Sequence, residues 1–208
     1  MTFELTGPAG RLETRLTLPA GPVRGVAVIA HPHPVYGGTM HSRVVFEAAR
    51  GFAAAGFAAL RFNFRGVGLS QGAFDQGVGE AADFAAALEA ADAAYAPASI
   101  VAAGYSFGAW VAMRVGARHP RVAALVAIAP PVGEFDFSEI VGSPRPKFLI
   151  AADRDELTPL KTMQRFYGLL TEPRELVVVD GADHLFDGRG GEVRDAIAGL
   201  FGDFGDRL

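Results

Sequence analysis

The sequence predicts an α/β fold with three layers, in which a mostly parallel sheet carries helices on both faces. Short apolar runs recur along the chain without the polar alternation that marks a sheet with one wet face. Amphipathic stretches of helical length separate these runs, as crossover helices separate parallel strands. Residues 3–18 alternate more clearly, which predicts one or two antiparallel strands at a sheet edge.

The apolar runs locate the buried strands, which we expect at residues 26–30, 58–64, 99–104, 122–129, 147–151 and 175–179. The stretches between them predict helices at residues 41–55, 79–94, 107–118 and 159–170 and from about residue 191 onward. Thr158 and Pro159 are typical of a helix N-cap followed by a first helical residue. Because ligands bind beyond the carboxyl ends of parallel strands, we expect the chemistry in the loops that follow them.

The composition suits one large hydrophobic core. Of the 208 residues, 50% are hydrophobic and 20% are charged, so we expect a single domain over residues 1–208. The net charge is −4 and no basic cluster occurs, which argues against a nucleic-acid partner. The chain has no cysteine, and this excludes disulfides, thiolate metal ligands and a cysteine nucleophile.

The sequence contains no recognisable targeting or membrane segment. Its first residues lack the basic start and the apolar stretch of a signal peptide. The longest apolar run, residues 122–132, is far shorter than the roughly 20 residues that span a bilayer. We therefore expect a cytoplasmic protein without a membrane partner, and the sequence leaves the oligomeric state open.

A serine flanked by glycines follows the third predicted strand, in the pattern Gly104-Tyr105-Ser106-Phe107-Gly108. A serine on a sharp strand-to-helix turn is strained, and glycines two positions before and after it leave room for the crossing backbone. With 26 glycines in 208 residues the pattern alone is weak evidence. The strand before it and the helix after it supply the context that the motif requires, so we predict Ser106 as a nucleophile.

A serine nucleophile needs a base, normally a histidine that a carboxylate orients. His184 lies just beyond the last predicted strand and after the serine in chain order, which makes it the predicted base. His119 precedes Pro120 at a helix end, where capping is the favoured interpretation. The remaining histidines are His31, His33 and His41.

Two aspartates in one loop could orient His184. Asp153 and Asp155 both follow the fifth predicted strand, and their spacing alone does not decide between them. An acidic loop that only solvates a turn is the alternative interpretation. Glu134 and Asp136, beyond the preceding strand, are less favoured positions for the acid.

The order of serine, acidic loop and histidine resembles the α/β-hydrolase superfamily from about residue 23 to the end of the chain. Further segments resemble a compact, lidless bacterial branch of serine hydrolases and carboxylesterases, with dienelactone hydrolase-like proteins as more distant relatives. They are Ala-His-Pro-His-Pro (30–34), Gly-Gly-Thr-Met (37–40) and Asn-Phe-Arg-Gly-Val-Gly (63–68).

The resemblance implies both a third catalytic residue and an activity. In the family the acid loop reads G-x-x-D-x-x-x-P, which implies Asp155 as the acid here, with Ala152 in place of the glycine. The implied enzyme cleaves small-molecule carboxylic esters through a Ser-His-Asp triad and an acyl-enzyme, without a cofactor. A thioesterase or peptidase with the same triad, or a non-catalytic binding protein on the same fold, is the alternative.

Acyl transfer also needs two N–H donors for the developing oxyanion. Phe107, directly after the nucleophile, supplies one. The second is expected in the loop after the first strand, where Pro32 and Pro34 carry no N–H. The backbone of His33 is therefore the predicted donor, and the alternatives are Val35 and Tyr36.

His31 and His33 also allow a metal-site interpretation, but the sequence shows no third ligand near them. We favour the interpretation that these imidazoles form hydrogen bonds that hold the loop, with His31 buried. No metal is predicted.

The substrate site is predicted to be open. Residues 130–146 are too few for a lid domain between the fourth and fifth strands. Arg65 could bind an acidic substrate group, although a structural salt bridge is favoured. The apolar candidates for the pocket walls are Tyr36, Phe135 and Leu185, together with Val35, Phe137 and Phe186.

Overall fold

A seven-stranded sheet lies at the centre of the structure, a computed structural model that describes residues 3–96, 98–202 and 204. The strands are β1 (Thr6–Gly7), β2 (Gly10–Arg11), β3 (Thr14–Thr17), β4 (Gly25–Ala30), β5 (Phe57–Phe62), β6 (Ser99–Tyr105), β7 (Val122–Ile128), β8 (Lys147–Ala152) and β9 (Arg174–Val179). The helices are α1 (Arg43–Ala54), α2 (Val78–Tyr95), α3 (Phe107–Gly116), α4 (Ser138–Val141), α5 (Leu160–Leu169) and α6 (Gly190–Gly202).

The main sheet has the strand order β3-β5-β4-β6-β7-β8-β9. β3 runs antiparallel to β5, and the other neighbouring pairs are parallel. The predicted antiparallel edge strand is therefore confirmed as β3, while β1 and β2 form a separate two-stranded sheet. The chain moves from β4 to one side and then returns to β6 on the other side. This reversal opens a crevice between the loops that follow β4 and β6.

Two hydrophobic layers explain why the strands lack polar alternation. Along β4, Val26 and Val28 pack on one face and Ala27 and Ile29 on the other, as expected for alternating side chains of a strand. The first face is covered by apolar residues of α2, α3, α4 and α5, and the second by those of α1 and α6. The predicted three-layer architecture is confirmed.

The helix and strand boundaries differ from the predicted ones by at most two residues. β5 ends at Phe62, because the N–H of Phe64 donates to His31 Nε2 at 3.0 Å instead of continuing the strand. The prediction of Thr158 as an N-cap was wrong. Pro159 holds the N-cap position of α5, and the Thr158 hydroxyl donates to the carbonyl oxygen of Pro130 at 3.2 Å.

Residues 130–146, all of them described, contain only the single-turn helix α4 between β7 and β8. The predicted absence of a lid is confirmed, and the carboxyl end of the sheet is open above this segment. Within the residues that the structure describes, no helix is long and apolar enough to cross a membrane.

Candidate active site

Ser106 lies on the sharp turn between β6 and α3, with φ 54° and ψ −122°. A positive φ is unfavourable for a residue with a side chain, so the surrounding backbone must enforce this conformation. A Cβ at Gly104 would lie 2.1 Å from the carbonyl oxygen of Gly108, and a Cβ at Gly108 would lie 2.4 Å from that of His31. Both glycines are thus required by close backbone contacts, and the turn presents the serine hydroxyl at the edge of the sheet.

The structure brings Ser106, His184 and Asp155 together. His184 Nε2 lies 3.0 Å from Ser106 Oγ, and His184 Nδ1 lies 2.8 Å from Asp155 Oδ2. Because a carboxylate only accepts, Nδ1 carries the proton and Nε2 is free to accept the serine hydroxyl proton. The imidazole is therefore held in the tautomer that a general base requires.

The loop after β8 holds the carboxylate of Asp155 in place. Its Oδ1 accepts hydrogen bonds from the N–H groups of Leu157 and Thr158, each at 2.9 Å, while Oδ2 accepts from His184. Both Asp155 and His184 are buried. Asp153 is placed differently: its N–H donates to the carbonyl oxygen of Val179, and its Oδ1 has no hydrogen-bond partner among the described residues.

Tyr105 positions the loop that carries His184, a role that the sequence reasoning missed. Its hydroxyl donates to the carbonyl oxygen of His184 at 2.8 Å, and the two rings stack with centroids 5.8 Å apart. Burial, followed by the nearby carboxylates, raises the pKa of Tyr105, so the hydroxyl remains a donor. The available signal in the sequence was the position of Tyr105 directly before Ser106 in the Gly-x-Ser-x-Gly motif.

The loop after β4 contains the predicted donor His33 and the alternative donors Val35 and Tyr36. The N–H of Val35 donates to His33 Nδ1 and the N–H of Tyr36 donates to the carbonyl oxygen of His33, so both alternative donors are occupied. In the described part of the chain, the N–H groups of His33 and Phe107 have no protein acceptor. These are the two donors that the sequence proposes for an oxyanion hole.

His31 fastens this loop to the sheet. It is fully buried, and its Nδ1 lies 2.7 Å from the carbonyl oxygen of Pro32, to which it donates. Its Nε2 accepts the N–H of Phe64 at 3.0 Å. Burial lowers the pKa of His31 to about 4, so the ring stays neutral. Among the residues that are described, no group of three or more His, Cys, Asp or Glu side chains is arranged to hold a metal.

A cleft of about 610 Å³ opens beside Ser106, at the crevice between the loops after β4 and β6. Tyr36 and Leu185 line it, as the sequence proposes, and Phe186 lines it as well. Phe135 lies elsewhere: it stacks on Trp110 at 4.7 Å between ring centroids and is not part of this cleft. The sequence position of Phe135 gave no indication of this contact with Trp110 of α3.

Arg65 takes the structural role that the sequence favoured. Its guanidinium forms two hydrogen bonds with the buried carboxylate of Asp83, at 2.7 and 2.9 Å. Its backbone N–H donates to the same carboxylate at 3.0 Å. The Asp83 hydrogen bond is the main cause of a raised pKa of Arg65, and this residue links the loop after β5 to α2.

Solved structures with this architecture define the class of the protein. An α/β serine hydrolase homologue from Coxiella burnetii is 37% identical, with a TM-score of 0.91 and coverage of 96% of each chain. An α/β serine hydrolase without lid from Xanthomonas campestris is 33% identical, with a TM-score of 0.88 and coverage of 100% of this chain and 93% of that one. The protein is a serine hydrolase of the lidless bacterial branch of the α/β-hydrolase superfamily.

A match over more than half of the chain also identifies the family within this class. Residues 21–143, more than half of the chain, match the family described as serine aminopeptidase, S33. The chain belongs to that family. An uncharacterized protein of Rickettsia prowazekii (strain Madrid E) is 38% identical over 189 residues, which cover 86% of this chain and 79% of that protein.

Proposed function

We propose that this protein is a serine esterase of the carboxylesterase type that cleaves small carboxylic esters through an acyl-enzyme on Ser106. The observation that carries the proposal is the continuous contact from Asp155 through His184 to Ser106, with distances of 2.8 and 3.0 Å. An orienting acid, a base and a nucleophile in this order are the requirements for nucleophilic acyl transfer.

In the first half of the reaction, Ser106 Oγ forms a bond to the ester carbonyl carbon and its proton passes to His184 Nε2. The carbonyl oxygen becomes an oxyanion, which the N–H groups of His33 and Phe107 stabilise. The tetrahedral carbon then expels the alcohol, as the C–O bond breaks and His184 returns the proton to the leaving oxygen. Asp155 keeps the imidazole oriented and stabilises its transient positive charge.

In the second half, water repeats the attack. It gives a proton to His184 Nε2 while its oxygen bonds to the acyl carbon. The bond between that carbon and Ser106 Oγ then breaks, the acid is released, and the proton returns from His184 to Ser106 Oγ. The open cleft gives water direct access to the acyl-enzyme. The machinery consists of side chains and backbone groups that the chain itself supplies.

The choice of esters over related substrates rests on leaving-group chemistry. Thioesters and peptides could react by the same steps, and the family is described as that of a serine aminopeptidase. An ester is an easier substrate than a peptide, because resonance stabilises the amide bond and its nitrogen must be protonated before it leaves. A thiolate leaves at least as readily as an alkoxide, so measured rates must rank esters against thioesters. Matched acetyl esters, thioesters and aminoacyl anilides, compared by kcat/KM, test this ranking.

Covalent labelling tests the assignment of the nucleophile. Ser106→Ala should abolish labelling by a fluorophosphonate and lower esterase kcat by about 10⁴-fold or more. Ser138→Ala is the matched control, because its hydroxyl binds Asp136 on an exposed turn outside the cleft. Full labelling of a folded Ser106→Ala protein, or equal losses in both variants, would contradict the proposal.

A further inference from the structure

Two residues of opposite charge line the cleft beside Ser106. Arg43, the first residue of α1, lies on one wall, and Asp187, in the turn after His184, lies on another. No ion pair joins these two residues within the described parts of the chain. A substrate in the cleft therefore meets each charge separately.

Arg43 lines the cleft and has only one ion-pair partner among the described residues. Its Nε lies 3.3 Å from Glu47 Oε1, and in the described structure its guanidinium makes no hydrogen bond to a protein acceptor. The side chain is 74% exposed. A guanidinium stays charged at any working pH and offers five N–H donors in a planar fork, which suits a carboxylate.

The position of Arg43 is nevertheless defined. Its stem lies over Gly190, where an added Cβ would be 3.3 Å from Arg43 Cγ. The carboxylate of Glu47 is buried and binds Arg50 as well as Arg43, so it anchors Arg43 without depending on it. The guanidinium is thus held at the wall of the cleft, with its remaining N–H groups free.

The start of α1 adds to the positive potential at this wall. Ser42 is the N-cap, but its side chain makes no capping hydrogen bond with the helix, and the first turn has no acidic residue. Ser42, Arg43 and Val44 all line the cleft. The partial positive charge of a helix N-terminus therefore has the same sign as the neighbouring guanidinium.

Asp187 is less suited than Arg43 to bind a charged substrate group. In the described part of the chain its carboxylate has no hydrogen bond or ion pair that would direct it into the cleft, and only its backbone N–H is bound, to Asp183 Oδ1. An unanchored carboxylate must lose its side-chain freedom to bind a cationic substrate. The anchored guanidinium has less freedom to lose.

We propose that the preferred substrates are esters that carry a carboxylate, and that Arg43 binds this carboxylate and so determines specificity. The inference rests on the proposed esterase activity. The carboxylate could lie on the acyl part or on the alcohol part of the ester. Both cases share the same contact with Arg43 and are separated by the choice of probe.

Pairs of substrates that differ in one charge provide the test. p-Nitrophenyl hydrogen glutarate is compared with p-nitrophenyl pentanoate for the acyl part, and 4-carboxyphenyl acetate with phenyl acetate for the alcohol part. In Arg43→Gln, KM for the anionic member of one pair should rise about fivefold, as expected for a charge pair at 4 Å in a water-like medium. The neutral members and kcat should be unchanged, and the difference should vanish in 1 M salt.

Arg50→Gln is the matched control, because Arg50 binds the same carboxylate of Glu47 but does not line the cleft. It should leave the ratio of anionic to neutral kcat/KM unchanged. Asp187→Asn should raise that ratio, since it removes the opposing charge. If Arg43→Gln and Arg50→Gln lowered that ratio equally, the inference would be contradicted, because Arg43 would then act only through Glu47.

The inference is overturned if Arg43→Gln hydrolyses both members of each pair as the wild type does. It is equally overturned if the enzyme prefers matched esters with an ammonium group and loses that preference in Asp187→Asn. The absence of turnover of every ester would instead count against the proposed function. The two failures are thus distinguishable.

Discussion

Replacing Asp155 by asparagine should move the ring proton of His184 from Nδ1 to Nε2. The loop after β8 should keep its structure. Oδ1 of Asp155 accepts two backbone N–H groups, and Oδ2 accepts the proton of His184 Nδ1. An asparagine can keep its oxygen on the two backbone donors, which places its NH₂ group where Oδ2 was. That group donates, so it would stabilise the tautomer of His184 with an unprotonated Nδ1.

The size of the expected loss of activity follows from the contact between His184 Nε2 and Ser106 Oγ. With the proton moved to Nε2, the ring can no longer accept the hydroxyl proton of Ser106 over the 3.0 Å that separates them. The loss of the correct tautomer costs a serine protease about 10⁴-fold in kcat, and we expect a loss of that order here. Stability should change little, because the two backbone hydrogen bonds of the loop persist.

Steady-state hydrolysis of p-nitrophenyl acetate, together with thermal unfolding, measures both effects. Asp153→Asn is the matched control, since Asp153 lies two residues away in the same loop and, in the described structure, makes no hydrogen bond or ion pair with His184. It should retain activity near that of the wild type. The reasoning is refuted if Asp155→Asn keeps more than about a tenth of the activity, or if Asp153→Asn loses as much.

Three further predictions concern the turn, the buried histidine and the cleft. Gly104→Ala should fail to fold or lose esterase activity, because its Cβ would lie 2.1 Å from the carbonyl oxygen of Gly108; near-native activity and melting temperature would contradict this. Burial lowers the pKa of His31 from 6.5 to about 4, so below pH 6.5 the unfolded chain binds a proton that the folded state does not. The free energy of unfolding should therefore fall by about 2 kcal/mol from this residue between pH 7.5 and 5. Urea unfolding should show a smaller fall of this free energy between pH 7.5 and 5 in His31→Gln. A fall equal to that of the wild type would contradict the assignment of the effect to His31. For p-nitrophenyl esters, kcat/KM should stop rising after a few carbons, because without a lid a long chain loses much of the roughly 0.8 kcal/mol that each buried methylene can contribute. A steady rise up to palmitate would show that a deep acyl tunnel exists.

The sequence by itself determined the architecture and the sharp turn that carries Ser106. Strands buried on both faces, such as β4, are almost entirely apolar, so the sequence identifies them without any knowledge of their neighbours, although β5 carries the buried Arg61. The turn around Ser106 is local only in part. Glycine is required at position 104 by the backbone of Gly108 within the same turn, whereas glycine at position 108 is required by the carbonyl oxygen of His31, which follows β4.

The three-dimensional structure alone decided how the loops converge. Asp153 and Asp155 have the same chemistry in the same loop, and the choice between them depends on the N–H groups of Leu157 and Thr158, which fix the direction of one carboxylate. The position of Arg43 at the cleft likewise depends on contacts that only the folded chain provides.

Arg43 follows β4 in the chain, whereas Gly190, over which its stem lies, follows β9. Contacts between residues so far apart depend on how α1 and α6 pack on one face of the sheet. The spacing of apolar residues within a segment indicates which face of a helix or strand is buried, because apolar side chains are favoured wherever any other element covers that face. It does not report which distant side chain lies opposite, since that depends on the packing of the whole chain.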